Sequence, residues 1–252
     1  MVGALMAIEE INANLDLLPN TKLTYEVYDT KHDPGTIIPN TFYLATDSFN
    51  GKGADVVVGG AYSGPTIASH NVLKSFGTPQ MSYSATSPLL SDTKEYPYFL
   101  RTVPSDAFQG KAIAQFLKDD LEYTNVCVVH GDDAYNANLA AAFIYSSLEL
   151  GITVVKTIET NVKPTNKQAA DYIAVLKQAA CRVVFLSLHS GSSPPVFREA
   201  KKAGIFGAES GWMYVVPDTI TTGIADVISG ATEEATFCPS NIEEGEECPL
   251  DE

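Results

Sequence analysis

The sequence has no long apolar run and few basic residues. No stretch approaches the roughly 20 apolar residues that a bilayer-spanning helix needs. The start, MVGALMAIEEIN, lacks the basic residues and long apolar core of a secretory signal. Sixteen Lys and Arg stand against 31 Asp and Glu, a formal net charge of −15. This balance argues against binding to nucleic acid or anionic lipid, which requires a basic surface, and the excess acid favours solubility.

The motifs of catalysis, metal binding and cofactor binding are also absent. Gly59-Gly60 does not complete a GxGxxG fingerprint, no Lys of a phosphate loop follows the SGSS run at 190–193, and there is no GxSxG elbow. The four histidines have no HxH or HExxH spacing: His32, His70, His130 and His189. We therefore predict that the chain is not an enzyme and that it binds no metal ion and no cofactor.

The four cysteines do not form a CxxC pair, which argues against a zinc site. Cys127 and Cys181 lie in or beside apolar strands, where we expect buried thiols. Cys238 and Cys248 bracket a short acidic loop, CPSNIEEGEEC. A disulfide between them would be stabilising in an oxidising compartment, and the sequence leaves that pairing open.

Apolar periodicity alternates between strand and helix along most of the chain. Such alternation with short connections predicts an α/β fold, with parallel sheets covered by helices on both faces. The predicted helices are 4–14, a segment ending near 49, 66–76, 106–117, 135–150, 168–180 and 195–203. The predicted strands are 23–28, 55–58, 80–83, 125–130, 152–158, 182–188 and 212–216.

The alternation breaks between residues 87 and 106, where no period is clear. We interpret this stretch as a crossover between two lobes. The predicted division is a partial first lobe at 1–103, a second lobe at 104–235 and an acidic tail at 236–252. Two such lobes predict a cleft between them, where ligands prefer to bind.

Hydroxyl-rich loops follow two successive predicted strands. Ser63 comes after the strand that ends at Gly59-Gly60, and Ser84-Ala85-Thr86 follows the strand at 80–83. In an open α/β sheet, ligands sit outside the carboxyl ends of the strands, and hydroxyls near helix starts suit a carboxylate. The alternative is that these residues only cap helices and form turns. Asp106, at a helix start, has the same two interpretations.

Two stretches carry a family resemblance. GALMAIEEINANLDLLPNTKLTYEVYDTKHDPG resembles type-B GABA receptors, and PQMSYSATSPLLSDTKEYPYFLRTVPSDAFQ resembles metabotropic glutamate receptors. The likeness to the extracellular ligand-binding region of class C G-protein-coupled receptors runs from Gly3 to about Trp212. It implies the two-lobed fold of type I periplasmic binding proteins, which closes on its ligand like a flytrap.

The resemblance also implies a site for a small amino acid or related molecule. Ser63, Ser84 and Thr86 match first-lobe residues that hold the ligand's carboxylate and amine. Asp106 would face the amine, and Tyr135 would stack or hydrogen-bond across the closed cleft. Ser210 stands where the family has a further aspartate. The predicted ligand-binding set is Ser63, Ser84, Ala85, Thr86, Asp106, Tyr135 and Ser210.

The resemblance further implies that the chain is a fragment of a receptor on the extracellular face of a membrane. We expect dimers through the first lobe, and a transmembrane signalling domain in the full-length protein. Three alternatives stay open: an amino-acid-binding protein for transport, a cofactor-dependent enzyme on a flavodoxin-like or Rossmann scaffold, and a fragment without function.

Overall fold

The computed structural model describes residues 2–217. Cys238, Cys248 and the predicted acidic tail lie outside the described residues, as does the end of the predicted second lobe. The chain within 2–217 forms two parallel sheets in succession, each with helices packed against it.

The first sheet has three short parallel strands in the order β1-β2-β3. These are β1 (Val57–Val58), β2 (Gln80–Ser82) and β3 (Phe99–Arg101). Helix α1 (Val2–Ala13) contains no buried residue, whereas α2 (Pro34–Thr46) packs against α4 (Ser63–Leu73). A four-residue turn, α3 (Ser48–Gly51), separates α2 from β1, and a 3-10 turn (Pro88–Ser91) precedes β3.

The second sheet has four parallel strands in the order β5-β4-β6-β7. They are β4 (Asn125–Gly131), β5 (Thr153–Thr160), β6 (Val183–Ser187) and β7 (Met213–Val215). The helices are α5 (Asp106–Gln115), which continues as a π-helical turn (Phe116–Asp120), α6 (Ala134–Glu149), α7 (Asn166–Gln178) and α8 (Pro194–Lys202).

Alternate side chains of β4 enter two separate cores. Cys127 and Val129 pack in the core that contains α7 and α8, while Val126 and Val128 pack in the core that contains α5 and α6. The strand is therefore buried on both faces, as its unbroken apolar run indicates. The predicted architecture, parallel sheets with helices on both faces, is confirmed.

Two sequence-based predictions, one about residues 23–28 and one about Cys127 and Cys181, were wrong. Residues 23–28 form no strand, and Tyr25 and Val27 in this segment are exposed. Alternation alone does not make a strand, and no other strand among the described residues pairs with this segment. Cys127 and Cys181 are not free thiols but form a disulfide, with their α carbons 6.1 Å apart. Pairing of β4 with β6 places Cys127 beside Val184, three residues after Cys181, so distant positions in sequence become neighbours.

The Cys127–Cys181 disulfide closes a loop with a sequence separation of 54 residues. By restricting the unfolded chain, a disulfide that closes a loop of this length is expected to stabilise the fold by about 4 kcal/mol. In urea titrations, we expect protein refolded with reductant to have a lower free energy of unfolding than the oxidised protein, by most of this amount. The matched control is the double variant Cys127→Ala/Cys181→Ala, whose response to reductant reports only the other two cysteines. Equal sensitivity of both proteins to reductant would contradict a stabilising role for this bond.

His70 of α4 is completely buried beside two aromatic rings. Its ring centroid lies 5.5 Å from that of Tyr96 and 6.0 Å from that of Phe99. Neither ring nitrogen has a partner of good hydrogen-bond geometry within residues 2–217. Burial lowers the pKa of His70; the Gln80 side chain partly opposes this, and the charge of Lys74 adds to it. The folded protein therefore favours the neutral ring.

This burial predicts a loss of stability in mild acid. Because the unfolded chain takes up the proton more readily, the free energy of unfolding should fall as the pH drops below about 6.5, the ordinary pKa of histidine. Urea unfolding at a series of pH values between 5 and 8 measures this dependence. His70→Leu should flatten it in that range. Parallel pH curves for the two proteins would show that His70 is not responsible.

Candidate functional site

The loops that leave the carboxyl ends of the first sheet are joined by hydrogen bonds. The Ser82 hydroxyl, at the end of β2, donates to the Gly60 carbonyl oxygen at 2.7 Å. The Thr66 hydroxyl donates to the same oxygen at 3.1 Å. Gly60 has a φ of +35°, and a Cβ there would lie 2.3 Å from the Thr66 hydroxyl oxygen. Only glycine fits this close approach, so the first loop is fixed against the start of α4.

The loop after β2 folds around the same serine. Ser82 Oγ accepts from the backbone N–H of Ser84 at 3.2 Å and of Ala85 at 2.9 Å. Ser63 Oγ accepts from the backbone N–H of Ser87 at 3.2 Å. The predicted residues of the first sheet are thus brought together: Ser63 and Ala85 are buried, Thr86 is half-buried and Ser84 is exposed.

Arg101, at the end of β3, supports this loop from the inside. One guanidinium nitrogen donates to the carbonyl oxygens of Ser87, at 2.9 Å, and Ala85, at 3.4 Å. The other terminal nitrogen contacts the Ser91 hydroxyl. The sequence analysis missed both Arg101 and Ser82. A hydroxyl residue near the end of the predicted strand at 80–83 was the signal that could have found Ser82. Arg101 ends β3, which lies in the stretch without a clear period, so it gave no such signal.

Asp106 begins α5 beside these loops and is only 3% exposed. Its backbone N–H donates to the Thr86 carbonyl oxygen at 2.9 Å. Burial raises the pKa of Asp106, while a hydrogen bond from the Thr86 side chain and the charge of Arg101 act in the opposite direction. Its Oδ2 atom has no hydrogen-bond partner among the described residues. Buried carboxylate oxygens are normally paired, so this atom can accept a further donor.

Tyr135 lies in the first turn of α6, at the carboxyl end of β4 in the second sheet. Asp133 caps this helix by accepting from the backbone N–H groups of Tyr135 and Asn136. The Tyr135 ring stacks on that of His189, which follows β6, with centroids 5.3 Å apart and planes 18° apart. His189 also reaches the first sheet: its ring centroid lies 5.7 Å from that of Tyr62, just before α4.

The carboxylate of Asp133 is held as an anion. Burial alone would raise the pKa of Asp133. Hydrogen bonds from His189 and Asn136, together with the charge of His189, outweigh burial and lower that pKa to about 2. Nε2 of His189 lies 3.5 Å from Oδ1 of Asp133. This edge of the second sheet therefore presents two stacked rings beside a fixed negative charge.

Ser210 does not join the other predicted residues. Its hydroxyl donates to the Gly207 carbonyl oxygen at 2.7 Å and accepts from the Trp212 backbone N–H at 3.1 Å. Because β7 begins at Met213 and runs parallel to β6, Ser210 lies at the amino end of the sheet, opposite Tyr135.

The chain after β7 emerges close to Asp106. The Gln109 side-chain amide, in the same first turns of α5, donates to the Pro217 carbonyl oxygen at 2.9 Å.

The two halves of this site are in contact. Helix α6 touches both α4 and the 3-10 turn before β3, so the carboxyl-end loops of the two sheets face each other. In residues 2–217, no three His, Cys, Asp or Glu side chains are grouped as metal ligands would be. Nor does any helix in that range have the length and apolar character to cross a membrane.

Comparison with known proteins agrees with this arrangement. The model of a family described as "Receptor family ligand binding region" matches residues 1–240. Metabotropic glutamate receptor 4 of Macaca fascicularis is 25% identical over 226 residues, covering 81% of this chain and 24% of the relative. The extracellular calcium-sensing receptors of Mus musculus and Homo sapiens are each 26% identical over 217 residues, covering 81% of this chain and 20% of the relative.

The chain spans about a fifth to a quarter of the length of these curated relatives. The resemblance noted in the sequence is confirmed, since all three named relatives are class C receptors. With a match over almost its whole length, the chain belongs to the receptor family ligand binding region, in the type carried by class C G-protein-coupled receptors.

Proposed function

We propose that the cleft between the two sheets binds a small amino acid or related zwitterion, and that closure of two lobes on it transmits a signal. The lobes in this proposal are residues 1–103 and 104–235, with the acidic tail at 236–252. In the full-length receptor, the binding region lies on the extracellular face of the membrane, dimerises through the first lobe and is joined to a transmembrane signalling domain. The chain itself carries out no chemical reaction.

The unpartnered oxygen of Asp106 is the observation that supports this proposal most directly. A buried carboxylate is costly unless its oxygens are hydrogen-bonded, and Oδ2 has no partner within residues 2–217. An ammonium group of a ligand supplies both a donor and a compensating positive charge. Since Thr86 and Arg101 already act on this carboxylate, the ligand's amine would complete its environment.

The loops of the first sheet suit the other end of a zwitterion. Ser63 Oγ accepts one hydrogen bond, from Ser87, which leaves its own O–H proton available to a carboxylate. Ser63 is also the first residue of α4, where free backbone N–H groups and the helix dipole favour an anion. Ser84 and Thr86 add hydroxyls at the same rim. Burial of Ser63 and Asp106 fits a closed cleft, because α6 packs against α4 here.

Loss of the rim hydroxyls should weaken binding. We expect Ser63→Ala and Thr86→Ala each to lower amino-acid affinity at least about tenfold, from the loss of roughly 1.4 kcal/mol of hydrogen bonding. The 20 standard amino acids, screened by thermal shift on the 252-residue chain, supply the probe for calorimetry. Ser75→Ala, an exposed serine just beyond α4, is the matched control. Unchanged affinity in both rim variants would show that the site is misplaced.

The charge of Asp106 should matter only for ligands that carry an amine. Asp106→Asn removes the acceptor's charge at nearly constant volume, so we expect at least about tenfold weaker binding of the free amino acid. The N-acetyl derivative of the same amino acid, which has no ammonium group, should bind weakly and with similar affinity to both proteins. Equal losses for the two ligands in calorimetry would argue against an amine contact.

A further inference from the structure

A row of four rings crosses from the first sheet to the second. The centroid of His32 lies 4.4 Å from that of Tyr62, which lies 5.7 Å from that of His189, which in turn lies 5.3 Å from that of Tyr135. The Tyr62 and His189 rings meet edge to face, at 73°, and those of His189 and Tyr135 stack at 18°. Both are favourable geometries for ring pairs.

Each ring comes from a different element. His32 immediately precedes the residue that caps α2, Tyr62 is the residue just before α4, His189 follows β6, and Tyr135 lies in α6. Tyr62 and His189 therefore join a carboxyl-end loop of the first sheet to one of the second. They form a direct side-chain contact between the two halves at the mouth of the cleft.

The His189 ring is held in place from its own side. Tyr135 stacks on its face, and Asp133 Oδ1 lies 3.5 Å from its Nε2 atom. Asp133 is itself fixed by the N–H groups at the start of α6 and by the Asn136 side chain. The ring is thus presented by a rigid support, so its contact with Tyr62 depends mainly on the separation of the two halves.

We infer that Tyr62 and His189 are positioning residues that hold the cleft closed, so that they set ligand affinity through closure rather than by polar contact with the ligand. This inference rests on the proposed function for its effect on affinity, but not for the contact itself. Tyr62 is 40% exposed, so its ring fills no core and its loss leaves both cores intact.

The first test needs no ligand. Small-angle X-ray scattering of the 252-residue chain should give a larger radius of gyration for Tyr62→Leu and for His189→Leu than for the parent. Tyr62→Phe keeps the ring and should restore the parent value. Tyr145→Leu, which removes a 65% exposed tyrosine from α6, is the matched control and should change nothing. Unchanged scattering from both leucine variants, each with a cooperative melt, would overturn the inference.

The second test separates this inference from the proposed function. With the amino acid selected by thermal shift, Tyr62→Leu should weaken binding about three- to tenfold, the effect of one ring pair. The double variant Tyr62→Leu/His189→Leu should weaken it by less than the two single effects combined, because both residues make the same contact. If no amino acid binds the parent, the proposed function fails, and the scattering experiment still tests whether Tyr62 and His189 hold the two halves together. If amino acids bind and Tyr62→Leu retains full affinity, the closing role is wrong.

Discussion

The hydroxyl of Ser82 fixes the geometry on which the first half of the site depends. This completely buried group donates to the Gly60 carbonyl oxygen and accepts from the backbone N–H of Ala85. It thereby ties the loop after β1 to the loop after β2. Leaving the buried Ala85 N–H unpaired would cost about 1–3 kcal/mol, so the two loops keep one relative arrangement. The rim made by Ser63, Ser84 and Thr86 follows from that constraint.

The sequence was sufficient for the features that local periodicity determines. Unbroken apolar runs such as that of β4 indicated strands buried on both faces, and the structure confirms parallel sheets covered by helices. The segment at 23–28 carried the other local signal of a strand, alternation, and yet forms no strand, because a strand also needs a neighbour. The converse case is β3, which lies in the stretch that showed no period: three residues are too few to show one.

The site was predictable where a residue's place follows from the end of a strand. Ser63, the 84–86 loop and Asp106 lie together because neighbouring parallel strands end at one edge. Ser210 entered the predicted set only through the family resemblance. It precedes β7, so it lies at the amino end of the sheet, away from the other predicted residues. Arg101 and the Cys127–Cys181 bond could not be predicted, since both depend on pairing between strands distant in sequence.

The two carboxylates of the site, Asp133 and Asp106, differ in their electrostatics, and the difference follows from local partners. Asp133 is surrounded by N–H donors and His189, which lower its pKa to about 2, so its charge is satisfied within the protein. Burial raises the pKa of Asp106, whose Oδ2 atom lacks a partner in the described part of the chain. Under the proposed function, Asp133 is structural and Asp106 is the carboxylate that a ligand's amine completes.

The ring contact and the polar rim would act on one equilibrium in different ways. If Tyr62 and His189 hold the cleft closed, an open and a closed arrangement differ in whether these two rings meet; they meet in the structure described above. Under the proposed function, a ligand that binds only the closed form would have an apparent affinity equal to its intrinsic affinity multiplied by the fraction of molecules that are closed without it. A very strong ring contact would close the cleft permanently and remove the response to ligand. A single, partly exposed ring pair is worth about 0.5–1.5 kcal/mol. A contact of this size would favour closure and still leave the equilibrium dependent on the ligand.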